Sequence, residues 1–172
     1  RKYIIDNELK KELSISHMAT IGILTCEILE LEFAYLLNTE NDIARITVLE
    51  NNRSVRLIDA LKSAGTQNLD LISDLSSFVP KIKNRFEVLV NVLELGLHNR
   101  KKLLQQGLVD EARKMGSRVD ALLLGYGLCG NALEKPDELL SEVDAPVFIP
   151  MDEDHPVDDC VGLIIGGRHH YY

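Results

Sequence analysis

Apolar runs alternate with amphipathic stretches along most of the chain. The runs are short and rich in Val, Ile and Leu, as is typical of strands that are buried on both faces. The predicted strands are 20–26, 43–49, 87–95, 119–125 and 146–149. Apolar residues at helical spacing predict helices over 27–37, 54–64, 99–114, 131–143 and 157–165. This alternation predicts an α/β fold with a mostly parallel sheet and helices on both faces, in a Rossmann-like three-layer arrangement.

We expect residues 1–172 to form a single domain, because no linker or internal repeat interrupts the pattern. Residues 1–17 are charged and weakly amphipathic, and we interpret them as an N-terminal extension. Residues 50–86 are predicted to be a helical insertion, with a helix over 54–64 and a second over 68–86 that Pro80 breaks or kinks. This segment contains two apolar stripes, one of Val55, Ile58 and Leu61 and one of Leu71, Leu75 and Phe78. The stripes predict a contact surface for a partner or for a second copy of the chain.

Charge and composition disfavour several classes of protein. The net charge of −8 disfavours nucleic acid or an anionic membrane surface as a partner, since both attract clustered Lys and Arg. No apolar run approaches the ~20 residues that cross a bilayer. The three cysteines are an odd number without dense spacing, so we expect a cytoplasmic protein with reduced thiols and no disulfide framework.

Four side chains with metal-binding chemistry follow predicted strands. Cys26 ends the first strand, and His98 follows the strand at 87–95. Cys129 follows the strand at 119–125, and Cys160 lies beyond the strand at 146–149. Because parallel sheets bind ligands at the carboxyl ends of their strands, we expect these four residues to meet at one edge. Three thiolates and an imidazole form a tetrahedral soft site that suits zinc.

A glycine-rich turn, Gly-Tyr-Gly-Leu-Cys-Gly, presents Cys129. We predict that Gly125, Gly127 and Gly130 let the backbone approach a bound cofactor closely. Tyr126 is interpreted as a packing residue or as a hydrogen-bond donor in the site. The turn is not a P-loop, because no Lys-Ser/Thr pair follows it, and it is not the dinucleotide-binding fingerprint.

Two of the cysteines are predicted to lie near helix starts. Asn131 and Glu134 form a capping-box-like pair after Cys129, and Cys160 lies near the start of the helix at 157–165. A helix N-terminus lowers the pKa of a thiol. We therefore expect Cys129 and Cys160 to be more reactive than Cys26.

Other interpretations stay open at this point. Each cysteine is also explained by packing, because cysteine is among the most buried residue types. His98 is equally explained as a helix-entry residue, and His155 is a reserve ligand. Asp158 and Asp159 are candidates to orient a metal ligand by a hydrogen bond to that ligand, without touching the metal. An iron–sulfur cluster or a corrinoid is an alternative to zinc.

Four motifs in this order resemble the domain of unknown function 1638 family, which occurs in archaea and bacteria. They are Ile-Leu-Thr-Cys-Glu (23–27), Gly-Leu-His-Asn-Arg (96–100), Gly-Tyr-Gly-Leu-Cys-Gly-Asn (125–131) and Asp-Asp-Cys (158–160) with Leu-Ile-Ile-Gly-Gly-Arg after it. The resemblance covers about residues 19–30 and 86–172. Residues 40–85 depart from the family as extra material, and the family pattern continues beyond Tyr172.

The resemblance implies an association with corrinoid-dependent methyl transfer in the one-carbon metabolism of methanogens and acetogens. The family's motif residues coincide with Cys26, His98, Cys129 and Cys160. This association is not itself an activity; together with the predicted zinc site, it leads us to expect an accessory or methyltransferase-type protein whose partner is a corrinoid protein or a methyltransferase. The alternative is a non-catalytic accessory module with a structural metal. A homo-oligomer is an alternative to a separate partner.

Overall fold

The computed structural model describes residues 19–82, 85–94, 100–129, 132–133, 135–152 and 155–165. The strands are β1 (Ala19–Cys26), β2 (Ile43–Leu49), β3 (Leu69–Ile72), β4 (Phe86–Leu93), β5 (Ala121–Gly125), β6 (Val147–Phe148), β7 (Met151–Asp152) and β8 (His155–Pro156). The helices are α1 (Glu30–Thr39), α2 (Val55–Ser63), α3 (Lys101–Gly116), α4 (Pro136–Leu139) and α5 (Cys160–Ile165). Short 3-10 helices cover Glu27–Leu29 and Leu75–Ser77.

Strands β1 to β6 form one parallel sheet in the order β3-β2-β4-β1-β5-β6, while β7 and β8 form a separate antiparallel pair. The parallel sheet and its intervening helices confirm the predicted α/β fold. Crossovers between parallel strands are right-handed. Connections toward the β3 edge therefore place α1 and α2 on one face, and the opposite connection from β4 to β5 places α3 on the other.

The central strands are buried on both faces, which explains why they read as continuous apolar runs. Strand β4 is buried from Glu87 to Val92. Helix α3 covers the sheet with an apolar stripe at a spacing of three and four residues, formed by Leu104, Leu108, Ala112 and Met115, each fully buried. The core thus lies between the sheet and its helical layers, and the ends of the strands are left for loops.

A buried charged network joins three strands near their amino ends. The Arg45 guanidinium on β2 donates to Glu87 on β4 (3.0 Å) and to Asp70 on β3 (2.8 Å). Arg45 also donates to the Val79 carbonyl (3.0 Å). This network satisfies the buried charges and ties the residues before β4 to the sheet, at the end opposite the predicted site.

The prediction of a helix over 68–86 is wrong. These residues contain β3, which pairs with β2 at the sheet edge, the 3-10 helix Leu75–Ser77 and the first residue of β4. Asp74 explains the break between them, because its side chain accepts a hydrogen bond from the Ser76 N–H (2.6 Å) and so starts a short turn. A short apolar run does not reveal by periodicity whether it is a strand or a helix.

The apolar stripes predicted as a contact surface are mostly part of the chain's own core. Ile58, Leu61, Leu75 and Phe78 are buried, and Leu71 is half-buried beside them. Only Val55 of the six is exposed, to 52%. The expectation of an exposed contact surface formed by these two stripes is therefore wrong.

Several predicted helices have different bounds. The helix predicted over 27–37 begins as a 3-10 turn and continues as α1 to Thr39. Within the described residues, the helix predicted over 131–143 is reduced to α4, and the helix predicted over 157–165 begins at Cys160. The proposed N-terminal extension, residues 1–17, lies outside the described residues.

The strand order reverses beside β1, which defines where a ligand would bind. The chain leaves β1 toward β2 on one side, but leaves β4 toward β5 on the other. Cys26 at the end of β1 pairs in register with Leu93 at the end of β4, and Thr25 pairs with Gly125 at the end of β5. Such a reversal opens a crevice at the carboxyl ends of the strands.

Candidate functional site

Cys26 is the last residue of β1 and lies in the centre of the crevice. Cys26 is fully buried, and its strand β1 pairs with β4 on one side and β5 on the other. Immediately after it the chain turns into the 3-10 helix Glu27–Leu29 and leaves the sheet. The end of the strand therefore fixes the position of this thiol, as the sequence pattern predicted.

Cys129 reaches the same edge through the turn after β5. The Leu128 N–H donates to the Val157 carbonyl (2.8 Å), and the Cys129 N–H donates to the Asp158 carbonyl (2.9 Å). These two hydrogen bonds hold the segment 127–129 beside 157–159. The approach requires glycine at 127, because a Cβ there would lie 2.5–2.6 Å from the Asp159 backbone.

Cys160 lies between the other two cysteines. It is the first residue of α5, is only 3% exposed, and has its sulfur 4.0 Å from the Cys129 sulfur. Cys26 also lies close enough to Cys160 for Cys160 to raise the pKa of its thiol. We call Cys26, Cys129 and Cys160 the cysteine cluster. No disulfide joins these three residues, which are all the cysteines of the chain.

The cluster lies in surroundings that favour neutral thiols. The hydrogen bond with Cys160 is the largest cause of the raised pKa of Cys26 and of Cys129, and burial raises both further. The expected lowering of the Cys129 pKa is therefore wrong. In the described residues no helix begins at Cys129, whose φ of 49° puts it in the left-handed region.

Tyr126 lies next to the cluster and is almost completely buried. Burial raises the pKa of its hydroxyl well above the ordinary value, and the neighbouring cysteines, Cys26 first, raise it further. The phenol therefore stays neutral. This supports the interpretation of Tyr126 as a packing residue, and a neutral hydroxyl is also the form that can donate a hydrogen bond.

The glycines of the turn have an explanation within the chain itself. A Cβ on Gly125 would lie 2.4 Å from the Thr25 hydroxyl oxygen and 2.5 Å from the Phe33 ring. Gly127 packs against Asp159. Close approach of these backbones to a cofactor stays a prediction, because internal packing already requires both glycines.

Several predicted residues lie outside the described residues. They are His98, Gly130, Asn131 and Glu134. Strand β4 ends at Leu93, which pairs in register with Cys26. His98 follows five residues later in the sequence. His155 is described: it is exposed on β8, with its Nδ1 2.8 Å from the Pro156 carbonyl oxygen.

The described part of the chain contains no group of three or more His, Cys, Asp or Glu side chains arranged to hold a metal ion. The three cysteines, all of them described, lie at one edge of the sheet without forming such a group. Metal binding at these residues therefore stays a prediction.

Sequence reasoning missed a charged group on the same edge. Arg53, after β2, lies 4.0 Å from Glu27 and 2.8 Å from Glu94, the residues that follow β1 and β4. Glu30, near Glu27 in the sequence, is also buried and only 3% exposed. The strand-end rule that predicted the cysteines also applies to these charged residues and would have found Glu27 and Arg53.

A protein-family model matches the C-terminal part of the chain. Residues 92–172 match DUF1638, described as a protein of unknown function. The expected resemblance is confirmed over this part of the chain. The DUF1638 segment contains Cys129 and Cys160, whereas Cys26 precedes it. No curated protein matches the chain.

Within the part of the chain that the structure describes, no helix combines the length and the apolar character that crossing a membrane demands.

Proposed function

We propose that the cysteine cluster binds a soft divalent metal, zinc first, with His98 as the fourth ligand. The observation that carries the proposal is that three cysteines, from the end of β1, the turn after β5 and the start of α5, meet at one edge of the parallel sheet. Thiolates and imidazole are the ligands that zinc prefers in proteins. Packing alone requires no such convergence of all the cysteines of a chain.

The spacing of two sulfurs supports this proposal. With zinc–sulfur distances of about 2.3 Å, tetrahedral geometry separates two ligand sulfurs by about 3.8 Å. The Cys129 and Cys160 sulfurs are 4.0 Å apart. The backbone hydrogen bonds between 128–129 and 157–158 hold this pair together before any metal arrives. Cys26 and His98 would complete the set.

We further propose that this site serves corrinoid-dependent methyl transfer, with a corrinoid protein or methyltransferase as the partner. The resemblance to DUF1638 supports this step. When bound, zinc supplies the Lewis acidity that turns thiols into nucleophilic thiolates. The chain's own residues would hold the site: buried Cys26 and Cys160 would exclude water from it, and half-buried Cys129 is the most exposed of the three.

A structural metal in an accessory module is the second candidate. The burial of Cys26 (0% exposed) and Cys160 (3% exposed) favours it, because structural zinc sites are closed whereas catalytic ones keep an open position. The two candidates share the same ligands and differ in whether a substrate thiol can reach the site.

Metal analysis of the anaerobically purified chain tests the binding proposal. We expect about one zinc per chain and no visible absorption band, whereas an iron–sulfur cluster or a corrinoid would colour the sample. Serine variants of Cys26, Cys129 and Cys160 should each lose zinc in competition with a chelator. Comparing His98→Asn with His155→Asn identifies the fourth ligand. A wild-type chain that neither retains metal nor binds added zinc would contradict the proposal.

A methyl-transfer assay separates the two candidates. Methylcobalamin serves as the methyl donor and a small thiol as the acceptor, and consumption of the thiol is measured. Faster consumption with the zinc-loaded chain than with the Cys160→Ser variant supports a catalytic site. Equal rates, with zinc firmly bound, support the structural role.

A further inference from the structure

The cysteine cluster has a second chemistry, which needs no metal. Cys160 lies beside two other thiols: its sulfur is 4.0 Å from that of Cys129, and it is close enough to Cys26 to raise the pKa of that thiol. A disulfide joins sulfurs at about 2.05 Å, so the Cys129–Cys160 pair is about 2 Å from bonding distance. We propose that this pair is a thiol–disulfide exchange site whose oxidation by low-molecular-weight disulfides excludes metal.

The backbone already supports closure of this pair. The hydrogen bonds from Leu128 to Val157 and from Cys129 to Asp158 hold the two segments side by side. The remaining distance between the two sulfurs therefore has to be closed by movement of the Cys129 and Cys160 side chains. Gly127 allows this approach, because any side chain there would push against Asp159. The disulfide would join loops that are already paired.

Differences in burial set the order of the chemistry. Cys129 is half-buried, whereas Cys160 and Cys26 are buried. The Cys129 sulfur attacks one sulfur of a small disulfide, loses its proton and releases one small thiol, which leaves a mixed disulfide on Cys129. The Cys160 sulfur then attacks the Cys129 sulfur, loses its proton and releases the second thiol. The small disulfide is reduced to two thiols while the protein pair is oxidised, so electrons balance.

Cys26 extends the exchange without a further oxidant. Its thiol, buried next to Cys160, can attack the Cys160 sulfur of the Cys129–Cys160 disulfide. The products are a Cys26–Cys160 disulfide and a reduced Cys129, which carries the released proton. Both intramolecular disulfides therefore contain Cys160, and Cys160 is the residue on which the exchange depends.

Peptide mapping of the metal-free full chain tests the disulfide. The chain is incubated with glutathione disulfide, quenched in acid, alkylated and mapped by mass spectrometry. We expect the loss of two thiols per chain, a Cys129–Cys160 linkage, and full reversal by dithiothreitol. A wild-type chain that stops at a glutathione adduct on Cys129, or that forms only intermolecular disulfides, overturns the proposal.

Three variants sharpen the result. Cys26→Ser should still form the Cys129–Cys160 disulfide. Cys160→Ser should stop at the mixed disulfide on Cys129. Cys160→Ala repeats that test with an apolar residue, which suits the buried position if serine disturbs folding. An intramolecular disulfide between Cys26 and Cys129 in either Cys160 variant, formed as fast as in the wild type, overturns the assigned role of Cys160.

The exclusion of metal rests on the proposed function and is tested separately. The oxidised chain should bind no zinc, and dithiothreitol should restore binding to the level of the reduced chain. Equal zinc binding by oxidised and reduced chains overturns the exclusion. If the reduced chain binds no zinc at all, the proposed function and the exclusion both fail, while the peptide map alone decides the disulfide.

Discussion

At the scale of single residues, the cysteine cluster depends on two backbone features. Gly127 lets the turn after β5 lie against the Asp159 backbone. Cys129 holds a φ of 49°, a conformation that costs a non-glycine residue about 1–2 kcal/mol. The surrounding hydrogen bonds hold this conformation in place, and both features serve to bring the Cys129 sulfur to Cys160.

Gly127→Ala should weaken zinc binding by about tenfold or more, because the added Cβ forces the Cys129 and Cys160 segments apart. The measurement is zinc affinity in competition with a chelator. Gly65→Ala is the matched control. Gly65 has a φ of 76° and open space around its Cβ position, so alanine there should cost about 1 kcal/mol of stability and leave zinc affinity unchanged. Equal affinities of Gly127→Ala and wild type would refute this role of Gly127.

Glycine and alanine at position 129 test the backbone feature without any metal. Both variants remove the thiol, but only glycine relieves the left-handed conformation. We predict that Cys129→Gly is more stable than Cys129→Ala by about 1 kcal/mol, measured by denaturant unfolding of the metal-free chain. An alanine variant at least as stable as the glycine variant would show that the conformation is not held in solution.

At the scale of elements, two buried charged groups connect neighbouring strands and helices. Arg45 joins β2 to β4 and β3, and Phe78 lies under its guanidinium, 5.7 Å from the ring centre. Glu30, the first residue of α1, is buried beside α2, with its carboxylate 3.9 Å from the Arg56 guanidinium. Each group should therefore affect folding more than a surface charge does.

Arg45→Met should destabilise the chain by about 3–5 kcal/mol, because it leaves the Glu87 carboxylate buried without its partner. Arg45→Met combined with Glu87→Gln should recover part of this loss, since glutamine keeps an acceptor and removes the charge. Denaturant unfolding gives both values. Arg113→Met, which removes an exposed pair with Glu142, is the control and should cost no more than about 1 kcal/mol. An Arg45→Met effect no larger than the control's would contradict the prediction.

Glu30 predicts a pH dependence of stability. Burial raises the pKa of this carboxyl above its ordinary value of 4.5, so the folded chain binds the proton more tightly than the unfolded chain does. The stability that the protonated Glu30 carboxyl contributes is therefore present below the ordinary pKa of 4.5, and it is lost as the pH rises through the raised pKa of the folded state. Glu30→Gln should gain stability over wild type across this window and keep the gain above it. The measurement is the free energy of unfolding from acid to neutral pH, with the exposed Glu138→Gln variant as control. A difference in stability between Glu30→Gln and wild type that stays constant with pH would disprove the prediction.

The sequence predicted these elements where one periodicity dominated. Strands β1, β4 and β5 are buried on both faces, and their apolar runs located them. Cys26 at the end of β1 and Cys129 after β5 were located with them. Strand β3 is a half-buried edge strand of four residues, so its short run was mistaken for a helix. The raised pKa of Cys129 was not predictable, because it depends on a contact with Cys160, 31 residues away.

At the scale of the whole molecule, the candidate site joins two parts of the chain. The DUF1638 segment, 92–172, supplies Cys129 and Cys160, and β1 supplies Cys26 from outside that segment. The reversal of strand order brings them together, since β1 lies between β4 and β5 in the sheet. Metal binding and folding of the complete sheet should therefore be coupled, as they are where a site forms only in the folded state.

Differential alkylation of the three cysteines tests the central claim, that they form one metal site. The anaerobically purified chain is treated with an alkylating reagent before and after chelation of its metal, and labelling of each cysteine is followed by mass spectrometry. We predict that metal protects all three cysteines together, and that after its removal half-buried Cys129 reacts ahead of buried Cys26 and Cys160. Labelling that is the same with and without metal would contradict the claim and show three ordinary packing residues.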